Sequence, residues 1–270
     1  MPTRLGMGKK VARRSPADSA AERRATSNAG RLNLPPILYH DRMFLAEVFF
    51  SIQGEGRLIG VPSAFVRTSG CNLRCWFCDS NYTSWEPQGS NHTIPEILAA
   101  IAPFPTQHVV VTGGEPLLAP EINELCLALA ERGYHITVET AATVYKPILC
   151  DLASLSPKLA SSTPLEREEG RFAEKHERLR LQLDVIQAFM DRSDYQLKFV
   201  VDSPNDIPEV LSILQRLHGV DPVKVLLMPQ GVTRQQLHER SPWLIEACKK
   251  YGFRFCPRLQ IEVYGNVRGT

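Results

Sequence analysis

Three cysteines fall within eight residues, Cys71, Cys75 and Cys78, spaced Cys-x3-Cys-x2-Cys. A cubane [4Fe–4S] cluster that only carries electrons takes four protein thiolates. Three thiolates leave one iron open to a cofactor or substrate. The spacing therefore points to an iron–sulfur site that does chemistry at its own metal. A structural zinc site is the competing reading. Zinc prefers four ligands, usually in Cys-x2-Cys pairs. Here only Cys75 and Cys78 form such a pair, no second pair follows, and His92 is the nearest histidine that could complete the set.

The elements that must position these thiols follow from the pattern beyond Met43. Short apolar runs at 44–50, 64–68, 108–111, 135–139, 149–155, 197–201, 223–228 and 253–256 read as strands. Between them, Ile122, Leu125, Cys126 and Leu129 recur at i, i+3, i+4, i+7, as do Val210, Ile213, Leu214 and Leu217, each set marking one face of a helix. Leu181, Val185, Ile186 and Phe189 mark a third helix, and Gly133 suits the C-cap of the first. Strands alternating with helices predict βαβ units and a parallel sheet. The length after the cysteines allows about six units, short of the eight in a complete barrel. The expected fold is thus α/β, a partial, open β/α barrel of about six parallel strands with flanking helices. Ligands of such folds sit at the carboxyl ends of the strands. Cys71, Gly113, Glu139, Ser156 and Gln230 all fall there. Residues 159–178 read as an exposed charged connection, and the acidic–basic run from Glu166 to Arg180 as a solvated face.

Composition narrows the function classes. The chain of 270 residues is 43% apolar and 22% charged with a formal charge of +2, too little to imply nucleic-acid or membrane binding. No apolar run is long enough to span a bilayer. Four further cysteines (Cys126, Cys150, Cys248, Cys256) are scattered, which fits a reducing, cytoplasmic setting and not a disulfide scaffold. Cys126 and Cys150 read as small buried hydrophobes. Residues 1–42, with three basic pairs and few apolar side chains, are expected to be disordered or to precede a start at Met43; a targeting peptide is the other reading. Residues 43–270 are expected to form the catalytic domain.

The cysteine motif after a strand, with Phe77 before the last cysteine, resembles the radical S-adenosylmethionine (SAM) superfamily. Gly113-Gly114-Glu115-Pro116 after the next long strand resembles its glycine-rich SAM motif. Two glycines let backbone approach a ligand, and the Glu115 carboxylate suits the methionine ammonium. Adding Gln53-Gly54-Glu55-Gly56, Phe65 to Leu73, Asp79, Ser156-Pro157-Lys158 and the C-terminal Pro257-Arg258-Leu259-Gln260, the chain resembles the 7-carboxy-7-deazaguanine synthase (QueE) family over about residues 43–270.

The resemblance implies a [4Fe–4S] cluster on Cys71, Cys75 and Cys78. It implies SAM on Phe77, Cys78, Asp79, Gly114, Glu115, Ser156, Pro157 and Lys158, with Glu139, Thr140 and Gln230 nearby. The substrate implied is 6-carboxy-5,6,7,8-tetrahydropterin, met by Ile52, Gln53, Gly54, Glu55, Arg67 and Thr112; Arg67 suits its carboxylate through a bidentate fork. Mg2+ would take the hydroxyl of Ser80, whose plainer role is a helix N-cap. The implied reaction is a radical ring contraction with loss of ammonia, begun by a 5′-deoxyadenosyl radical that takes hydrogen from C6. An external one-electron donor of flavodoxin or ferredoxin type and a homodimer are implied as partners. The alternative within the superfamily is an activase that places a glycyl radical on a partner enzyme; outside it, a zinc-stabilised binding module.

Overall fold

The computed structural model describes residues 42–270. The expectations for the N-terminal extension lie, up to residue 41, outside the described residues. One nine-stranded sheet carries the fold: β1 (Met43–Ile52), β2 (Pro62–Thr68), β3 (Ser90–His92), β4 (His108–Gly113), β5 (His135–Thr140), β6 (Leu152–Leu155), β7 (Tyr195–Val201), β8 (Val225–Pro229) and β9 (Arg254–Phe255). Their order is β3-β1-β2-β4-β5-β6-β7-β8-β9, with β3 and β9 at the two edges among the described residues, so the barrel they form is open. From β2 to β9 every pairing is parallel, giving seven such strands, the last only two residues long. β1 and β3 add an antiparallel edge.

Eight α-helices accompany the strands among the described residues: α1 (Asn81–Ser84), α2 (Ile94–Ile101), α3 (Ile122–Glu131), α4 (Ala173–Leu179), α5 (Leu183–Arg192), α6 (Ile207–Arg216), α7 (Arg234–Tyr251) and α8 (Leu259–Tyr264). The periodic faces are where the spacing puts them. Ile122, Leu125, Cys126 and Leu129 of α3, Val210 and Ile213 of α6, and Ile186 and Phe189 of α5 are all buried in one core with the sheet. Gly133, at φ 78°, takes the left-handed turn that ends α3 and donates its N–H to the Ala130 carbonyl.

Alternation along the strands separates two faces. In β7, Leu197, Phe199 and Val201 enter the outer core. Gln196 and Lys198, buried polar residues, alternate with them and point to the inner face. In β8, Val225 and Leu227 face the helices, while Leu226 and Met228 pack inward with Cys256. The inner face is thus partly polar, as a ligand-holding interior must be.

Some boundaries differ from the sequence reading. The run at 149–155 pairs only from Leu152, and Leu149 is exposed. Residues 222–224 form a 3-10 turn before β8. Residues 159–178 are not simply an exposed connection: Leu159, Ser162, Thr163 and His176 are buried. Among the described residues no helix is long and apolar enough to cross a membrane.

Candidate active site

A cavity of about 510 Å3 opens at the carboxyl ends of the parallel strands. The five loops expected to converge do so: Cys71 after β2, Gly114 after β4, Glu139 to Ala141 at the end of β5, Ser156 and Lys158 after β6, and Gln230 after β8 line it together. Of the residues assigned to the site from sequence, Cys71, Cys75, Cys78, Phe77, Asp79, Ser80, Gly114, Ser156 and Lys158 line it, as do Ile52, Gln53, Gly54, Glu55, Arg67 and Thr112. Glu115 and Pro157 do not line it.

Glu115 corrects the sequence reading. Its carboxylate is buried and takes three hydrogen bonds from the protein: Oε1 accepts from Thr140 Oγ1 at 2.7 Å and from Leu117 N–H at 3.2 Å, and Oε2 from Ala141 N–H at 2.9 Å. It ties the glycine loop to the end of β5 and does not line the cavity in which a methionine ammonium would lie. There Thr140 Oγ1 also accepts from the N–H of Ala142, an alanine held at φ 54°. The two glycines likewise serve the protein first. A Cβ on Gly113 would lie 2.3 Å from the Thr68 carbonyl oxygen, and one on Gly114 2.3 Å from that of Gly70. Their close approach is to the start of the cysteine loop, which Glu115 N–H also bonds through the Gly70 carbonyl. Gly54 makes room for the Gln260 side chain in the same way.

The three thiols fit an iron–sulfur cluster. None is in a disulfide. Cys71 Sγ accepts from Leu73 N–H and Cys78 Sγ from the Ser84 hydroxyl, bonds of the kind that tune such clusters. Burial pushes the free thiols up, Cys71 to about 11 and Cys75 to about 12, so a metal is needed to hold them as thiolates. The Lys158 ammonium, which donates to Ser156 Oγ at 2.8 Å, sets positive charge beside all three. Among the described residues no three His, Cys, Asp or Glu side chains converge as a single ion requires. Tetrahedral zinc needs its sulfurs about 2.3 Å from one point; a cluster ligated at separate corners does not. His92, the proposed fourth zinc ligand, pairs instead with Ser90 on the edge strand.

The same cavity carries a charged array that sequence reading found only in part. Glu55 pairs with Lys198 at 2.5 Å and with Arg258 at 3.1 Å, and accepts from Gln260 Nε2 at 2.7 Å. Burial acts to raise its carboxyl, but the two cations hold it far below the usual carboxylate range. Lys198 also reaches Glu139 at 3.7 Å. Glu139 accepts from Gln53 Nε2 and from Thr112 Oγ1. Arg258 continues the chain to Asp79, whose other oxygen accepts from the Ser80 hydroxyl. Ser80 stands at the N-terminus of α1 but makes no side-chain cap there, so its hydroxyl faces Asp79 and the cavity. Arg67 donates through Nε to Glu47 at 2.7 Å; among the described residues that is its one hydrogen-bond partner. Lys198 and Gln196 carried a signal in the sequence, two polar residues at alternate positions of an otherwise apolar strand.

Comparison with known proteins agrees with this geometry. Residues 65–161 match the family model of the radical SAM superfamily. The 7-carboxy-7-deazaguanine synthase of Rhodopirellula baltica is 42% identical over 94% of this chain and 96% of its own length. That of Halobacterium salinarum is 40% identical over 94% of this chain and 100% of its own. The crystal structure of QueE from Escherichia coli, at 23% identity, shares the fold with a TM-score of 0.61 over 81% of this chain and 94% of that one. Three thiols at an open barrel's strand ends, a glycine loop packed behind them and near-full-length kinship together settle membership: the chain belongs to the 7-carboxy-7-deazaguanine synthase family of radical SAM enzymes.

Proposed function

We propose that the cavity converts 6-carboxy-5,6,7,8-tetrahydropterin to 7-carboxy-7-deazaguanine with loss of ammonia, feeding queuosine or another 7-deazapurine. The observation that carries this reading is one cavity lined by two unlike sets of side chains. The three clustered thiols and the Glu55–Lys198–Glu139–Arg258 array line the same space. A docking surface for a glycyl-radical protein would not need such a small-molecule wall. Cys71, Cys75 and Cys78 hold the cluster, and Phe77, Asp79, Gly114, Ser156 and Lys158 surround SAM. Once bound and reduced by an external one-electron donor, that pair supplies the hydrogen-abstracting radical.

The chain's own residues do the rest. Glu55, kept ionised by its two cations, and Glu139 accept from the amino and ring N–H edge of the pterin. Gln53 and Thr112 orient Glu139, acting through it. Arg67 has its Nη groups left for the substrate carboxylate, since Glu47 holds only Nε. Ser80 and Asp79 offer Mg2+ a hydroxyl and a carboxylate, hard donors that suit it. We assign a homodimer and a cytoplasmic setting on family grounds alone. The test is anaerobic incubation of cluster-loaded protein with dithionite, SAM and the pterin, with and without Mg2+. Release of ammonia and a product with the mass of 7-carboxy-7-deazaguanine is expected, faster with Mg2+. Neither appearing would overturn the reading.

A further inference from the structure

The segment that read as a solvated connection grips the cysteine loop from behind. His176 of α4, 1% exposed, accepts the Arg74 N–H at Nδ1, 3.2 Å away. Arg74 lies between Cys71 and Cys75. The other ring nitrogen, Nε2, meets Ser162 Oγ at 2.8 Å, and Ser162 Oγ lies 2.6 Å from the Leu159 carbonyl. A carbonyl can only accept, so the serine proton points to Leu159 and Nε2–H donates to Oγ. The network therefore assigns one neutral tautomer, with its lone pair aimed at the cysteine loop. Ser162 completes the grip with its own carbonyl, which accepts the Trp76 N–H at 3.1 Å; the Ser161 carbonyl accepts Trp76 Nε1 at 2.7 Å. Arg74 turns its side chain back to the Cys71 and Leu73 carbonyls and lies over the Phe172 ring at the start of α4. Leu159 follows Lys158 directly, so this relay also joins the cysteine loop to the strand-end segment on the far side of the thiols.

We propose that His176, fixed by Ser162, is a positioning residue of the cysteine loop: it sets the backbone between Cys71 and Cys75 in advance of the metal. The inference rests on reading the three thiols as cluster ligands. Ligand geometry must be held to about 0.5 Å for such a site to work. The imidazole gives the Arg74 N–H an acceptor from outside the loop and so ties its backbone to α4.

The two ring nitrogens can be tested separately. His176→Asn keeps an acceptor near Nδ1 and so the Arg74 bond; His176→Gln keeps a donor near Nε2 and so the Ser162 bond only. The readouts on anaerobically reconstituted protein are iron content, the EPR spectrum of the reduced cluster with and without SAM, and the SAM dissociation constant. His176→Gln is expected to weaken SAM binding or cluster retention on the order of tenfold and to alter the SAM-induced EPR change, with His176→Asn within about threefold of the parent. Equal behaviour of the two variants, whether both normal or both impaired, overturns the proposal. Should either fail to fold, Ser162→Ala decides: it frees the imidazole without changing its volume, and a spectrum identical to the parent's refutes the relay. A parent protein that takes up no cluster would sink the reading of the thiols themselves, which the variants alone cannot do.

Discussion

Replacing Lys198 with methionine isolates the charged wall. The side chains are of similar length, so packing changes little and the loss is of one cation. Lys198 Nζ stands 2.5 Å from Glu55 and 3.7 Å from Glu139, and the three side chains are 6%, 12% and 22% exposed. At an effective dielectric of about 20, one contact near 4 Å is worth about 4 kcal/mol before desolvation is subtracted. Removing one partner of a buried pair costs about 3–5 kcal/mol, because the other charge stays behind. Glu55 keeps Arg258, so the stranded charge is chiefly that of Glu139. We expect the apo-protein to lose about 3 kcal/mol, or about 6–12 °C in Tm for a domain of this size. The loss has a pH signature. In the parent, Glu55 is depressed, so its contribution is present above the unfolded carboxylate pKa and is lost as pH falls below it. In the variant one carboxyl becomes raised, and a raised carboxyl is penalised as pH rises. The difference between the proteins should thus be larger near about pH 8 than near about pH 5. Urea melts at both pH values, with Lys198→Met, Glu139→Gln and the double variant, complete the cycle. Recovery of more than half the loss in the double variant is expected. A Lys198→Met variant within about 1 kcal/mol of the parent, or a loss untouched by Glu139→Gln, would refute the reasoning.

Three other outcomes follow from single sites. Gly113→Ala places a Cβ 2.3 Å from the Thr68 carbonyl at φ 145°, so a loss of more than about 2 kcal/mol and poor iron uptake are expected in melts and iron assays. Phe189→Ala empties a side chain 2% exposed between α5 and the sheet and should cost about 3–5 kcal/mol in urea melts. Asp194, drawn down to about 2 against its burial by bonds from Arg57 and Lys224, is half exposed, so solvent screens it; Asp194→Asn should cost no more than about 1 kcal/mol in the same melts.

What was legible in the chain was whatever repeats or clusters locally. The apolar strand runs, the helical faces of Ile122 and Val210, and the cysteine spacing each show within a short window, and the convergence of five loops follows from parallel topology alone. Pairing across distance did not show. β3 is Ser90-Asn91-His92, three polar residues that are a strand only because β1 extends beyond β2 to meet them. Arg258 reaches Asp79 and Glu55 from the far end of the chain. Glu115 looked like a ligand for SAM because a carboxylate after two glycines is chemically apt; that three donors from the end of β5 and its own turn would hold it away from the cavity is a tertiary fact. Residues 159–178 misled through their charges, since what binds the cysteine loop there is mostly backbone carbonyl and one buried imidazole.

The central claim is that this cavity rearranges a small molecule catalytically. The most direct measurement counts 7-carboxy-7-deazaguanine formed against SAM consumed, under anaerobic reduction with excess pterin. Many products per SAM lost are predicted. Deoxyadenosine accumulating with no deazaguanine would contradict it.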